Sequence, residues 1–403
     1  MPLDRRDAPG TDTNATSAKA KREAPPYDEI ALVLQGGGAL GSYQAGVYEG
    51  LAEAGLEPTW IAGISIGALN TAILAGNPPK DRVAALHAFW DTITKPEDFV
   101  GGGGAWALSA LGLDAAARGW TSGWSAFRAV MEGQQGFFTP RPRTPLSELD
   151  HKTPDEVSHY RTEPLIETLR RYADFDRINN GDMRVSVGAV NVRSGNFAYF
   201  DNRQMRLGPE HFAASGALPP GFPAVEIDGE YYWDGGIVSN TPLVELLGKE
   251  PDKDLLIFQV DLWSSKGRLP ANFADVEERI KDIQYSSRTR MVTDMVAHRR
   301  RQSKIVKDFL DTLPEEIRRN NPAYDQAAAI AATAKVNLFH LIYQNKFFEK
   351  GYKDIEFSAA TMLEHWGSGL RDIRRSLAQP GWLDPPNHDL GFVTHDIHRL
   401  RED

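Results

Sequence analysis

Ser65 stands in Gly63-Ile64-Ser65-Ile66-Gly67, a G-x-S-x-G spacing that suits a serine held on a sharp turn between a strand and a helix. Both glycines have a physical reason, because a side chain at either flank would crowd the turn that lifts the serine oxygen clear of the backbone. A hydroxyl is a weak nucleophile near neutral pH and needs a base. Ten histidines are available, His87, His151, His159, His211, His298, His340, His365, His388, His395 and His398, and none sits in a context that marks it as that base. Asp234, in Tyr231-Tyr232-Trp233-Asp234-Gly235-Gly236, is the better candidate: an aromatic strand delivers its carboxylate to a turn that Gly235 and Gly236 allow. Taken singly, each has a plain alternative, a serine packed at a strand end and an aspartate closing a hairpin.

A third cluster, Gly36-Gly37-Gly38, follows an apolar run and with Gly41 satisfies G-x-G-x-x-G. That pattern alone is weak support for dinucleotide binding. A dinucleotide site also wants an acidic residue ending the second strand to hold the ribose. Glu57 has about the right separation but lies before that strand, and what ends it is Ser65.

The elements that must position these residues are legible in outline. Ile30 to Leu34 reads as a buried parallel strand, Ser42 to Ala54 as a helix stopped by Gly55, Thr59 to Ser65 as a second strand, and Ala68 to Gly76 as a helix. This β-α-β-α order predicts a mostly parallel sheet with helices on both faces. Val100 to Pro145 is rich in glycine and tryptophan without a strong period and reads as a mobile cover. Arg184 to Asn191 and Gly195 to Phe200 alternate like paired strands, a hairpin turns at Asp228-Gly229, and Leu255 to Val260 is one more buried strand. Beyond about residue 270 the pattern is charged and helical, through Glu277 to Leu310, Ala327 to Asn345 and Ser358 to Leu377.

With 41% hydrophobic and 25% charged residues the composition is that of a globular protein, and a formal charge of -10 argues against a nucleic-acid partner. The absence of cysteine excludes disulfides and thiolate chemistry and permits a cytoplasmic setting. Pro58 to Pro79 runs 22 residues without a charge, long enough for a membrane span. An elbow at Gly63 to Gly67 would leave backbone groups unpaired in lipid, so a buried core explains the run better. Residues 1–27 lack an apolar signal segment and are expected to form a disordered tail.

The three pieces together, GGGALG after the first strand, GISIG after the second, and YYWDGG followed by SNTP about 170 residues later, resemble the patatin-like phospholipase family. The resemblance covers about residues 28–265 and implies a three-layer α/β fold with a mostly parallel sheet, followed by a mainly helical extension over 266–403. It implies lipid acyl ester hydrolysis by a Ser65–Asp234 dyad, an oxyanion loop at Gly36, Gly37 and Gly38, and no cofactor or metal. Backbone donors at Gly37 and Gly38 would carry the oxyanion, because many members have a cation two residues after the triplet and here that position is Leu40. The same acyl-enzyme could serve an acyltransferase or a storage-polyester hydrolase, and a non-catalytic lipid-binding protein is the competing class.

The expected substrate is a long-chain acyl ester, with Trp106, Leu108, Leu111 and Trp120 lining its passage or packing the cover. The basic run 299–307 could touch anionic lipid at a peripheral membrane contact, although a solvated helix face is the simpler role. The C-terminal helices are expected to cover the site or to pair subunits in a homo-oligomer.

Overall fold

In this computed structural model the described residues are 25–94, 114–142, 152–248, 253–331, 334–346, 349, 351–387 and 391–398. The expected tail, up to residue 24, lies outside them, as do Trp106, Leu108 and Leu111; of Trp120 only the helical backbone is described.

The apolar run before the glycine triplet forms β1 (Glu29–Leu34), buried over its last four residues, and β2 (Trp60–Ile64) is buried throughout. Such continuous burial belongs to strands covered on both faces. The two pair in parallel, with Leu34 opposite Gly63. Helix α1 (Ser42–Glu53) connects them, and α2 (Ile66–Ala75) follows β2 with every residue buried. The uncharged stretch Pro58–Pro79 is therefore mostly core, and no helix among the described residues is long and apolar enough to cross a membrane.

The remaining strands are β3 (Thr139–Pro140), β4 (Tyr160–Arg161), β5 (Arg184–Asn191), β6 (Phe197–Asp201), β7 (Val225–Ile227), β8 (Glu230–Asp234), β9 (Leu255–Asp261), β10 (Val336–Ile342) and β11 (Phe392–His395). Apart from a two-residue β3–β4 ladder they join one nine-stranded sheet in the order β11-β10-β9-β1-β2-β5-β8-β7, with β6 also on β5. All neighbours from β11 to β5 run parallel, and β6, β7 and β8 enter antiparallel. This is the expected three-layer α/β architecture with a mostly parallel sheet. The β7–β8 turn has positive φ at both Asp228 (52°) and Gly229 (80°), the backbone of a two-residue hairpin.

The structure corrects three expectations. The segment read as a mobile cover contains a helix, α3 (Asp114–Glu132). Its inward face is marked by the small Ala126 and Ala129, while Phe127 and Met131 face out, so apolar bulk does not follow burial there. The single helix expected over Glu277–Leu310 is two, α4 (Phe273–Tyr285) and α5 (Thr289–Asp311), broken where Ser286 is extended. The helix expected over Ala327–Asn345 holds only at its start, for the chain is helical over Pro322–Ala331 and then forms β10. Pairing with the fully buried β9 gives Val336 to Leu341 a covered place in the sheet, a tertiary gain that overrides local pattern.

Helix α6 (Ala359–Leu377) begins at Ser358, whose hydroxyl accepts the Thr361 N–H. It crosses α1 closely: a β-carbon on Gly46 would lie 1.9 Å from the Trp366 carbonyl oxygen, and one on Gly369 2.0 Å from that of Tyr43. The C-terminal part is thus built into both the sheet and a helical layer.

Candidate active site

Ser65 sits between β2 and α2 with φ 54° and ψ −125°, a conformation sparsely populated by residues with a β-carbon. Backbone held this way must be over-determined by its surroundings, and it is. A β-carbon on Gly63 would lie 2.5 Å from the Gly67 carbonyl oxygen, and one on Gly67 2.3 Å from that of Leu34, so the two glycines let β1, β2 and α2 converge. The Ser65 N–H donates to Ser215 Oγ at 2.9 Å, and that hydroxyl donates to the Gly188 carbonyl at 2.6 Å. Ser215 is fully buried at the end of the helix Pro209–Ser215.

The sheet itself brings Asp234 beside Ser65. β2 pairs with β5 up to Ile64 opposite Gly188, and from Ala189 onward β8 takes over, with Asp234 opposite Ala189. Serine and aspartate therefore follow one another along the same side of β5. Asp234 is 2% exposed, its Oδ1 accepts the Gly236 N–H at 2.7 Å, and the Ser65 side chain stands close enough to favour its ionised form. Burial pushes its pKa up to about 7, and the nearby Ser65 side chain and the Gly236 N–H, which favour the ionised form, hold it from rising further.

The glycine triplet closes the third side. Gly36 is an anchor: its N–H donates to the Asn240 carbonyl at 3.2 Å, and its own carbonyl accepts Asn240 Nδ2 at 3.0 Å and Trp263 Nε1 at 2.8 Å. Its N–H is thereby committed to the fold and does not point at a substrate oxygen. The N–H groups of Gly37 and Gly38 have no acceptor among the described residues. Gly38 has φ 55°, and a β-carbon there would lie 2.1 Å from the Asp354 carbonyl oxygen, which accepts the Ala39 N–H at 2.9 Å. Leu40, two residues after the triplet, is fully buried in the core.

Ser65, Asp234 and the three glycines line one cavity of about 300 Å³. Its other walls are mostly apolar and aromatic, including Leu69, Phe137, Phe138, Phe222 and Phe357, and no histidine is among the described residues that line it. His340 is instead paired with Asp261 at 2.5 Å and His365 with Glu349 at 2.6 Å. Among the described residues no group of three or more histidine and acidic side chains could hold a metal.

Sequence reading missed several residues that shape this site. Gln35 donates to Thr241 Oγ1 at 2.8 Å and to the Tyr285 carbonyl at 3.0 Å, and accepts the N–H groups of Leu262 and Trp263. Asn240 also donates to the Tyr285 carbonyl, at 2.9 Å. From the C-terminal part, Tyr285, Asp354, Ile355 and Phe357 line the cavity. Lys353, 2% exposed, is 2.6 Å from Asp282 and lies 4.9 Å over the Trp263 ring. Only Gln35 and Asn240 had a signal, by adjacency to the triplet and to the aspartate turn.

Residues 32–247 match the family model described as patatin-like phospholipase, and residues 283–389 match one described as patatin phospholipase. No curated protein matches the chain. Among solved structures VipD from Legionella pneumophila is similar at 13% identity, covering 85% of this chain and 67% of that one, with a TM-score of 0.32, too loose a similarity to carry an argument.

Proposed function

The chain belongs to the patatin-like phospholipase family, hydrolases of lipid esters, and on that premise we propose that it cleaves acyl esters through a Ser65–Asp234 dyad and an acyl-enzyme. The observation that carries this reading is the strained Ser65 elbow set beside the buried Asp234 carboxylate in one apolar cavity. In the first step the Ser65 hydroxyl attacks the ester carbonyl as Asp234 takes its proton, and the collapsing intermediate releases the alcohol with that proton. In the second, water attacks the acyl-serine with Asp234 again as base, which frees the fatty acid. A carboxylate whose pKa stands at about 7 is matched to this task near neutral pH.

The Gly37 and Gly38 N–H groups are the oxyanion donors in this proposal, each worth roughly 3 to 4 kcal/mol of barrier lowering. With Leu40 buried, no cation aids them at that position. The apolar cavity suits an acyl chain, and the lipid ester is the partner that the family implies.

The test is intact-mass labelling with a fluorophosphonate probe, comparing the parent with Ser65→Ala and Asp234→Asn. One adduct, mapped to Ser65, absent in the alanine variant and slowed at least about a hundredfold in the asparagine variant, is expected. An adduct on another residue, or labelling indifferent to Asp234, would sink the dyad.

A further inference from the structure

Two amphipathic helices turn their apolar stripes to solvent. On α4, Phe273, Val276, Ile280 and Ile283 recur at helical spacing and are 91%, 41%, 57% and 56% exposed. A stripe of this kind on a globular protein normally faces the core. On α3, Trp124, Phe127 and Met131 likewise face out, with the Trp124 and Phe127 rings 5.7 Å apart, while Ala126 and Ala129 face in.

Both helices end at the same cavity. Ala129 and Val130 of α3 line it, and so does Tyr285, the last residue of α4. The segment 351–355 joins them: Gly123 of α3 lies against the Tyr352 ring, Gly351 against the backbone of Glu278 in α4, and Asp354 and Ile355 reach the cavity wall. The stripes therefore flank the cavity from two sides.

We propose that α3 and α4 form a docking rim that seats the enzyme on a lipid surface with the cavity facing the leaflet. The proposal rests on the lipid-ester reading above and adds where the substrate is met. A second copy of the chain seated across both stripes would cover the cavity against substrate, whereas a leaflet covers the same apolar area and delivers it. The charges point to uncharged or zwitterionic headgroups. Helix α4 carries four acidic and two basic residues, Arg279 is engaged with the Ser265 carbonyl and Lys281 with Asp354. Four of the five basic residues of the run 299–307 are also engaged: Arg299 donates to the Leu247 and Gly248 carbonyls, Arg300 is buried, and Lys304 and Lys307 pair with Asp308 and Asp311, so that Arg301 alone adds little pull on an anionic surface. Apolar insertion is what remains, and it resists salt.

The experiment measures co-sedimentation of the full chain with ether-linked phosphatidylcholine vesicles, which offer no carboxylic ester and so separate binding from turnover. The parent is expected in the pellet at low and high salt alike. The variant Phe127→Ser/Phe273→Ser/Ile280→Ser is expected to bind at least about tenfold more weakly. Its unfolding midpoint and its turnover of a soluble short-chain ester should stay close to the parent's, since the three side chains lie outside the cavity lining. Equal binding of parent and variant, no binding of the parent, or binding only to anionic vesicles and lost in salt overturns the proposal. So does a parent dimer that the same substitutions dissociate, which would assign the rim to a second copy. A parent that binds vesicles yet hydrolyses no ester would count against the dyad and leave the rim standing.

Discussion

At the scale of single residues the decisive quantity is the proton on Asp234. In the proposed dyad the carboxylate must be ionised to act as base, so kcat/KM for a soluble ester should rise with pH and level off above about 7, and Asp234→Asn should abolish that limb along with most of the activity. The same group predicts a stability effect of opposite sense. Its folded pKa is raised from 3.8 to about 7, so its contribution to stability is present below the unfolded value and lost as pH rises through the folded one. Asp234→Asn removes the buried charge and keeps an acceptor for Gly236. Thermal unfolding above about pH 7 should find this variant more stable than the parent, by at most on the order of 4 kcal/mol, with the gain vanishing in acid. A parent and variant that unfold alike across this range would mean that Asp234 carries no such strain.

At the scale of elements the site depends on contacts that hold backbone. Ser215→Ala would leave both the Ser65 N–H and the Gly188 carbonyl without their partner at the elbow, costing roughly 1 to 3 kcal/mol. Since the elbow and not the cavity wall is disturbed, kcat should fall more than KM rises, which steady-state kinetics would resolve. Lys353 acts through the segment that carries Asp354 onto the glycine loop. Lys353→Met strands the buried Asp282 carboxylate, at a cost of roughly 3 to 5 kcal/mol, and chemical denaturation should report the loss. Pairing it with Asp282→Leu should restore much of the stability.

For the whole molecule, we propose that residues 28–265 hold the chemistry and that 266–403 complete the structure around it. β10 covers the edge of β9, α6 packs on the glycine face of α1, and the cavity draws Tyr285, Asp354, Ile355 and Phe357 from beyond residue 265. A chain cut after residue 265 is expected to be insoluble or unfolded by circular dichroism, because a buried strand becomes a bare edge. A soluble fragment with full esterase activity would show the C-terminal part to be dispensable.

What was legible in the amino-acid sequence by itself was local. The elbow around Ser65, the Asp234-Gly235-Gly236 turn and the glycine triplet declare themselves because close backbone approach demands glycine at fixed offsets from one functional side chain. The β-α-β-α start was legible for the same reason, being a matter of short-range period. Only the tertiary structure decided that β8 replaces β2 along β5 and so sets Asp234 beside Ser65, and that Val336 to Ile342 is a strand. It also decided that Gly36 anchors the loop and that a carbonyl of Asp354 props it. Main-chain donors and acceptors are the same at every position, so nothing in residue type marks which of them will meet; the folded chain alone brings them within bonding distance.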